Sequence, residues 1–206
     1  VLKTLTLLVL CFPLSDPLHA QALGNPPVGK AAPAFSAKGI DGKLYSLSGL
    51  KGKIVVLEWT NPGCPFVRKH YDSGNMQSLQ KKYGALGVVW LSVLSSAQGS
   101  EGSFENDAEA KAWLEKEKAA PASLIRDSEG TLGKLYGAKA TPHMFVINAK
   151  GFLAYKGAID DKASADPGDI TSSKNWVSQA LDALLAGKAV AVPETRAYGC
   201  RVKYKD

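Results

Sequence analysis

Apolar residues along this chain come in two rhythms, and the alternation between them outlines the elements. Ile54-Val55-Val56-Leu57 is unbroken and mostly β-branched, as a strand covered on both faces should be, and predicts a strand over 53–60. Gly87 to Leu94 reads the same way and predicts a second buried strand, with Ser123–Arg126 a short third. Between them the period lengthens. Pro65 suits a first helical position, and the helix it opens breaks near Gly74-Asn75, with Met76, Leu79 and Tyr83 at core spacing beyond the break. Asp107–Lys118 predicts a helix with Ala108, Ala112 and Trp113 inward, and Thr131–Tyr136 a shorter one. Asp41-Gly42 turns into a short strand, Lys43–Leu47. His143–Ile147 and Phe152–Tyr155, joined by Asn148-Ala149-Lys150-Gly151, have a hairpin signature. A last helix starts near Ser173, lines up Trp176, Val177, Ala180, Leu181, Leu184 and Leu185, and stops at Gly187.

The order β-α-β-α, then a hairpin and a helix, predicts an α/β sandwich: a mixed central sheet with helices on both faces. Residues 188–206 have no period and read as a tail, and no internal repeat is present. At the other end, Lys3 precedes the mostly apolar run Leu5–Leu14, and the small-residue site His19-Ala20-Gln21-Ala22 follows. That is the build of a secretory signal peptide, cut after Ala22 or Ala20. The run is well short of the roughly 18 residues a membrane span needs. The organisation expected is a signal peptide over 1–22, one domain over 23–187 and a tail over 188–206, in an exported, periplasmic protein.

Composition narrows the chemistry only a little. With 206 residues, 45% hydrophobic and 21% charged, the chain suits one ordinary domain. The net charge of +6 comes from scattered basic residues without interleaved aromatics, which argues against a nucleic-acid partner. Cysteine usage changes the picture more. Of three cysteines, Cys11 leaves with the signal peptide, so Cys64 and Cys200 remain in a compartment where disulfides persist. The spacing allows a static staple or a redox couple.

Cys64 sits between the predicted strand and the helix that Pro65 opens, at or beside the N-cap. A thiolate there faces unpaired backbone N–H groups and the positive end of the helix dipole. Arg68, one turn on, is placed to lean back toward the sulfur. Each effect favours S⁻ and lowers the thiol pKa from about 8.5.

Trp59 to Lys69, the hairpin after Thr141-Pro142 and the element order resemble the thioredoxin fold. Within it, residues 26–187 are similar to peroxiredoxin-like redoxins of the alkyl hydroperoxide reductase/thiol-specific antioxidant type. The departures are specific. Val67 stands where a thioredoxin has its second cysteine, so a dithiol within this motif is ruled out. Peroxiredoxins place a Thr or Ser three residues before the cysteine; here Asn61 is at that place and Thr60 lies one further back, within reach if Gly63 is an insertion. The resemblance implies a thiol-dependent oxidoreductase with peroxide-reducing activity. Cys64 would attack the O–O bond and become a sulfenic acid, Arg68 would polarise the site, Thr60 would orient the peroxide, and Cys200 on a mobile arm beside Gly199 would resolve it. It also implies a cis Thr141–Pro142 bond, with the Thr141 backbone facing Cys64 and free to pair with an extended substrate. The partners expected are a hydroperoxide and a thiol reductant, with no cofactor and no metal.

Two other readings stay open: a reductase or isomerase acting on the thiols and disulfides of exported proteins, and a non-catalytic binding module stapled by Cys64–Cys200. Neighbouring polar residues have plainer expectations. His143 reads as a strand side chain, His70 as exposed on another helical face and Asp160-Asp161 as a solvated turn. Glu58 is either a buried proton acceptor or a solvent-facing strand end.

Overall fold

The computed structural model describes residues 24–205, so the predicted signal peptide lies outside the described residues. Its centre is a five-stranded mixed sheet in the order β5-β4-β3-β7-β8. The strands are β3 (Val55–Trp59), β4 (Val89–Leu94), β5 (Ser123–Arg126), β7 (His143–Ile147) and β8 (Leu153–Gly157). β3 pairs parallel with β4 and antiparallel with β7, and every residue of β3 is buried, as its unbroken apolar run requires. Strand alternation sorts its side chains onto two cores. Val56 packs with α1 (Pro65–Asp72), α2 (Asn75–Ala85) and α5 (Trp176–Leu185) on one face. Val55, Leu57 and Trp59 pack with Leu132 and Tyr136 of α4 (Thr131–Tyr136) and with Ala32 and Phe35 of the lead-in on the other. This is the α/β arrangement with helices on both faces that the residue pattern predicts. No helix among the described residues is long and apolar enough to cross a membrane.

Three local expectations need correcting. α3 (Asp107–Lys116) turns Ala110 inward, with Trp113 and Leu114 packed beside it, while Ala108 and Ala112 are exposed. The large side chains set the rotation of the helix, because an alanine buries too little surface to do so. α5 begins at Trp176, not near Ser173, because Asn175 caps it by accepting from Ser178 N at 2.8 Å; a 3₁₀ segment, Pro167–Ser172, precedes it.

The third concerns the tail. A short strand, β9 (Cys200–Arg201), pairs antiparallel with β6 (Ala140–Thr141), a two-residue strand just before β7. Val202 is buried, Thr195 Oγ1 accepts from Ala158 N at 2.9 Å, and Tyr204 donates to Ala138 O at 2.8 Å. An aperiodic sequence reads as a loose arm; here its few large side chains each find a slot in the body. Two short strands, β1 (Ser36–Lys38) and β2 (Leu44–Ser46), complete the fold as a separate antiparallel pair.

Candidate active site

Cys64 is the N-cap of α1, and Pro65 takes the first helical position without losing a hydrogen bond. The preceding loop is tied down by Asn61. Its Oδ1 accepts from Gly63 N at 2.7 Å, and its Nδ2 donates to Ser96 Oγ at 3.0 Å and Glu101 O at 2.9 Å. Asn61 therefore scaffolds the thiol loop. Thr60, beside it, is buried, and its hydroxyl has no hydrogen-bond partner among the described residues.

The thiol itself is 2% exposed and donates to Thr141 O at 3.0 Å. Thr141 and Pro142, joined by a cis bond, thus meet Cys64 as a backbone acceptor. Opposite Thr141, in ladder register, stands Cys200. It packs against the core cluster that contains Cys64, and both cysteines are free thiols. Burial, and then the neighbouring Cys64 sulfur, push the Cys200 pKa up to about 12. Cys200 is a protonated thiol at neutral pH.

Arg68 does not lean over the sulfur. Its guanidinium reaches forward to Asp72 at 3.5 Å, and the side chain is 65% exposed. An i,i+4 partner in water costs the guanidinium no desolvation, whereas a place beside the buried thiol would. Val67 occupies the position of the missing second cysteine and is core.

Two acids are deeply placed: of the two readings open for Glu58 the structure has the buried one, and Asp160 departs from the solvated turn expected. Glu58 is fully buried and accepts from Trp90 Nε1 at 2.7 Å, Tyr71 Oη at 2.8 Å, Ser92 Oγ at 3.0 Å and Gln80 Nε2 at 3.2 Å. Burial raises its pKa, and the four donors oppose the rise. Asp160, read from sequence as part of a solvated turn, is buried in an ion pair with Lys69 at 3.1 Å. Lys69 also donates to Lys162 O at 2.8 Å. Tyr198, two residues before Cys200, donates to the other oxygen of Asp160.

His70 completes the cluster, buried where exposure was expected. With Asn75 Nδ2 donating to its Nδ1 at 2.9 Å, a neutral ring carries its proton on Nε2, 3.3 Å from Tyr198 Oη. Burial lowers the His70 pKa to about 4. Phe66, on the same side of α1, meets the Tyr198 ring edge-on at 5.9 Å. The arm carrying Cys200 is thus latched to the helix carrying Cys64. The sequence signal for this latch was weak: Lys69 and His70 adjoin the thiol helix, but nothing local announces Asp160 or Tyr198 as their partners. His143, by contrast, is the buried strand side chain its position suggests, with Nδ1 accepting from Lys139 N at 3.3 Å. No group of three or more His, Cys, Asp or Glu among the described residues is arranged to hold a metal ion.

A helix with a thiol at its N-cap, docked by that end against the loop before β7 of a mixed sheet, places the chain among thioredoxin-fold redoxins. More narrowly, the chain belongs to the AhpC/TSA family, whose model matches residues 28–156. Its fold is shared by a hypothetical protein from Sinorhizobium meliloti 1021, at 21% identity and a TM-score of 0.72 over 89% of this chain and 97% of that one. An uncharacterized conserved protein from Geobacillus kaustophilus is similar at 26% identity and a TM-score of 0.71, over 87% and 93%. The thioredoxin domain of a thiol-disulfide oxidoreductase from Bacteroides vulgatus is similar in fold at 18% identity and a TM-score of 0.51, over 72% and 97%.

Proposed function

We propose that the chain is a thiol–disulfide oxidoreductase whose redox couple is Cys64 with Cys200, the second cysteine having moved from the helix to the C-terminal arm. One observation carries this reading: Cys200 is held in register with Thr141, the residue whose carbonyl accepts from Cys64. Cys64 as thiolate attacks one sulfur of a substrate disulfide, and the other sulfur leaves as a thiolate. Cys200 then loses its proton and attacks the Cys64 sulfur, releasing the second substrate thiol and leaving Cys64–Cys200 oxidised. A dithiol reductant resets the pair.

A second oxidant is favoured by the partnerless buried hydroxyl of Thr60 in the thiol loop, an unused donor for a peroxide oxygen, and by family membership. With a hydroperoxide, Cys64 takes one oxygen to become a sulfenic acid and the alcohol or water leaves. Cys200 condenses with it, releasing water and giving the same disulfide. Removal of residues 1–22 on export places the couple in an oxidising compartment.

Mass mapping after one equivalent of a small disulfide, and separately of hydrogen peroxide, tests the reading. A Cys64–Cys200 link that dithiothreitol reverses is expected, with a sulfenic or mixed-disulfide adduct trapped on Cys64 in Cys200→Ser. A chain in which neither oxidant reaches Cys64 overturns the proposal. N-terminal sequencing of envelope protein, expected to begin near Leu23 or Gln21, tests export.

A further inference from the structure

β9 does more than deliver a thiol. It fills the strand edge at Ala140–Thr141, and backbone pairing there accepts any extended chain of suitable shape. Upstream, residues Glu194 to Gly199 form one wall of a cavity of about 980 Å³ whose other wall includes His143, Lys156 and Asp160. Lifting the arm removes that wall and uncovers the strand edge at Thr141, whose carbonyl accepts from Cys64. The shape of the arm at the critical point is restrictive. Gly199 has φ +123°, a conformation L side chains rarely adopt. A Cβ built there would lie 2.8 Å from the Thr141 carbonyl carbon, nearer still to its oxygen, and 3.4 Å from Pro142 N. All three are backbone atoms on a strand edge, so nothing can rotate aside.

We propose that Tyr198–Arg201 is a tethered stand-in for a substrate strand, and that the opened site takes an extended polypeptide whose reactive cysteine directly follows a glycine. This rests on Cys64 being the thiol that engages substrate, as proposed above. The arm is then an internal competitor, and the Tyr198–Asp160 latch sets how often it yields. The chain's own segment Ala-Tyr-Gly-Cys-Arg-Val is the template for what should bind.

The test uses the full chain with Cys200→Ser, so that mixed disulfides on Cys64 persist. Two hexapeptides, Ala-Tyr-Gly-Cys-Arg-Val and its Ala-Tyr-Ala-Cys-Arg-Val counterpart, each carry cysteine as the 2-pyridyl disulfide. Attack by Cys64 forms the Cys64–peptide bond and expels pyridine-2-thione, whose absorbance gives the rate. The glycine peptide should react roughly tenfold or more faster, after correction for each peptide's rate with free cysteine. Adding Tyr198→Phe should speed both peptides several-fold. Gly199→Ala in the otherwise unaltered chain, which keeps the latch, should raise iodoacetamide labelling of Cys64 by roughly tenfold, because the new Cβ expels the arm. Equal rates for the two peptides, or unchanged labelling in Gly199→Ala, would overturn the inference. The small reagent 2,2′-dithiodipyridine separates the two proposals. If it never modifies Cys64, the oxidoreductase reading falls; if it does and the peptides are not distinguished, only the glycine-cysteine assignment falls.

Discussion

Cys64 is delivered by β3 and α1 and lies in the same core as Val56, Val67, Met76 and Met144, all at 1% exposure or less. Cys200 is delivered by a two-residue strand and a half-buried tyrosine whose hydroxyl reaches one carboxylate and one imidazole. The first seat is held by many small, additive contacts, the second by a few directional ones in a low dielectric. A seat of the first kind yields only with the whole domain, whereas one of the second kind opens by itself at a fraction of the global free energy. For the redox couple proposed above, the division would let Cys64 keep its geometry while Cys200 moves.

The largest expected effect attacks the second seat at its anchor. Asp160→Ala strands the buried ammonium of Lys69 without a counter-charge and should cost about 3–5 kcal/mol, the usual penalty for breaking a buried pair on one side. Urea unfolding gives the total. Amide exchange then tells whether protection at Val202 collapses further than protection at Leu57. Equal losses at both would mean that arm and core are one cooperative unit, and the contrast drawn above would fail.

Acid should act on the same seat. His70 is neutral in the folded chain because burial lowers its pKa from 6.5 to about 4, while the unfolded chain protonates it near 6.5. The unfolded state therefore binds more protons between these values. The stability His70 contributes is complete above pH 6.5 and is lost as pH falls toward about 4, on the order of 3 kcal/mol. In the difference between this chain and His70→Gln, other titrating groups cancel. A flat difference across that window would show that His70 stays charged and that the cluster is wired differently.

Tyr198→Phe is a gentler change. It keeps the ring against Phe66 and removes the hydroxyl, for a loss of about 1 kcal/mol. The readout that matters is the equilibrium constant of the Cys64–Cys200 disulfide against a reference dithiol, which should fall several-fold as the arm loses its register. An unchanged constant would mean that the β6–β9 ladder alone fixes Cys200.

Arg68→Ala marks the bottom of the scale and probes the first seat. Among the described residues its only ion pair is with Asp72 on an exposed face, so stability should change by less than about 0.5 kcal/mol. The rate at which Cys64 labels should not change. A marked drop in that rate would show that the guanidinium swings back to the sulfur during reaction.

Much of the first seat was legible from sequence. The mostly β-branched run Ile54–Leu57, the proline after Cys64 and the Gly74-Asn75 break specify a strand, a capped helix start and a second helix through local backbone preference and periodicity. Those signals are carried by residues within a turn or two of each other, so one sequence displays them. The loss of a dithiol motif at Val67 and the candidacy of Cys200 were equally visible, being questions of residue identity. The second seat was not visible. Asp160, Lys69, His70 and Tyr198 meet across as many as 128 positions, and no period or cap links them. Side chains of either sign look solvated until the fold removes the water. Arg68 shows the converse: its distance from Cys64 in the chain fits a contact, but desolvation and the nearby Asp72 carboxylate decide against it. By itself, then, the sequence determined the helix and the place of Cys64 at its N-cap, because local chemistry suffices there. Only the tertiary structure decided that an aperiodic tail becomes a strand, because its partner at Ala140–Thr141 exists only once the sheet has formed.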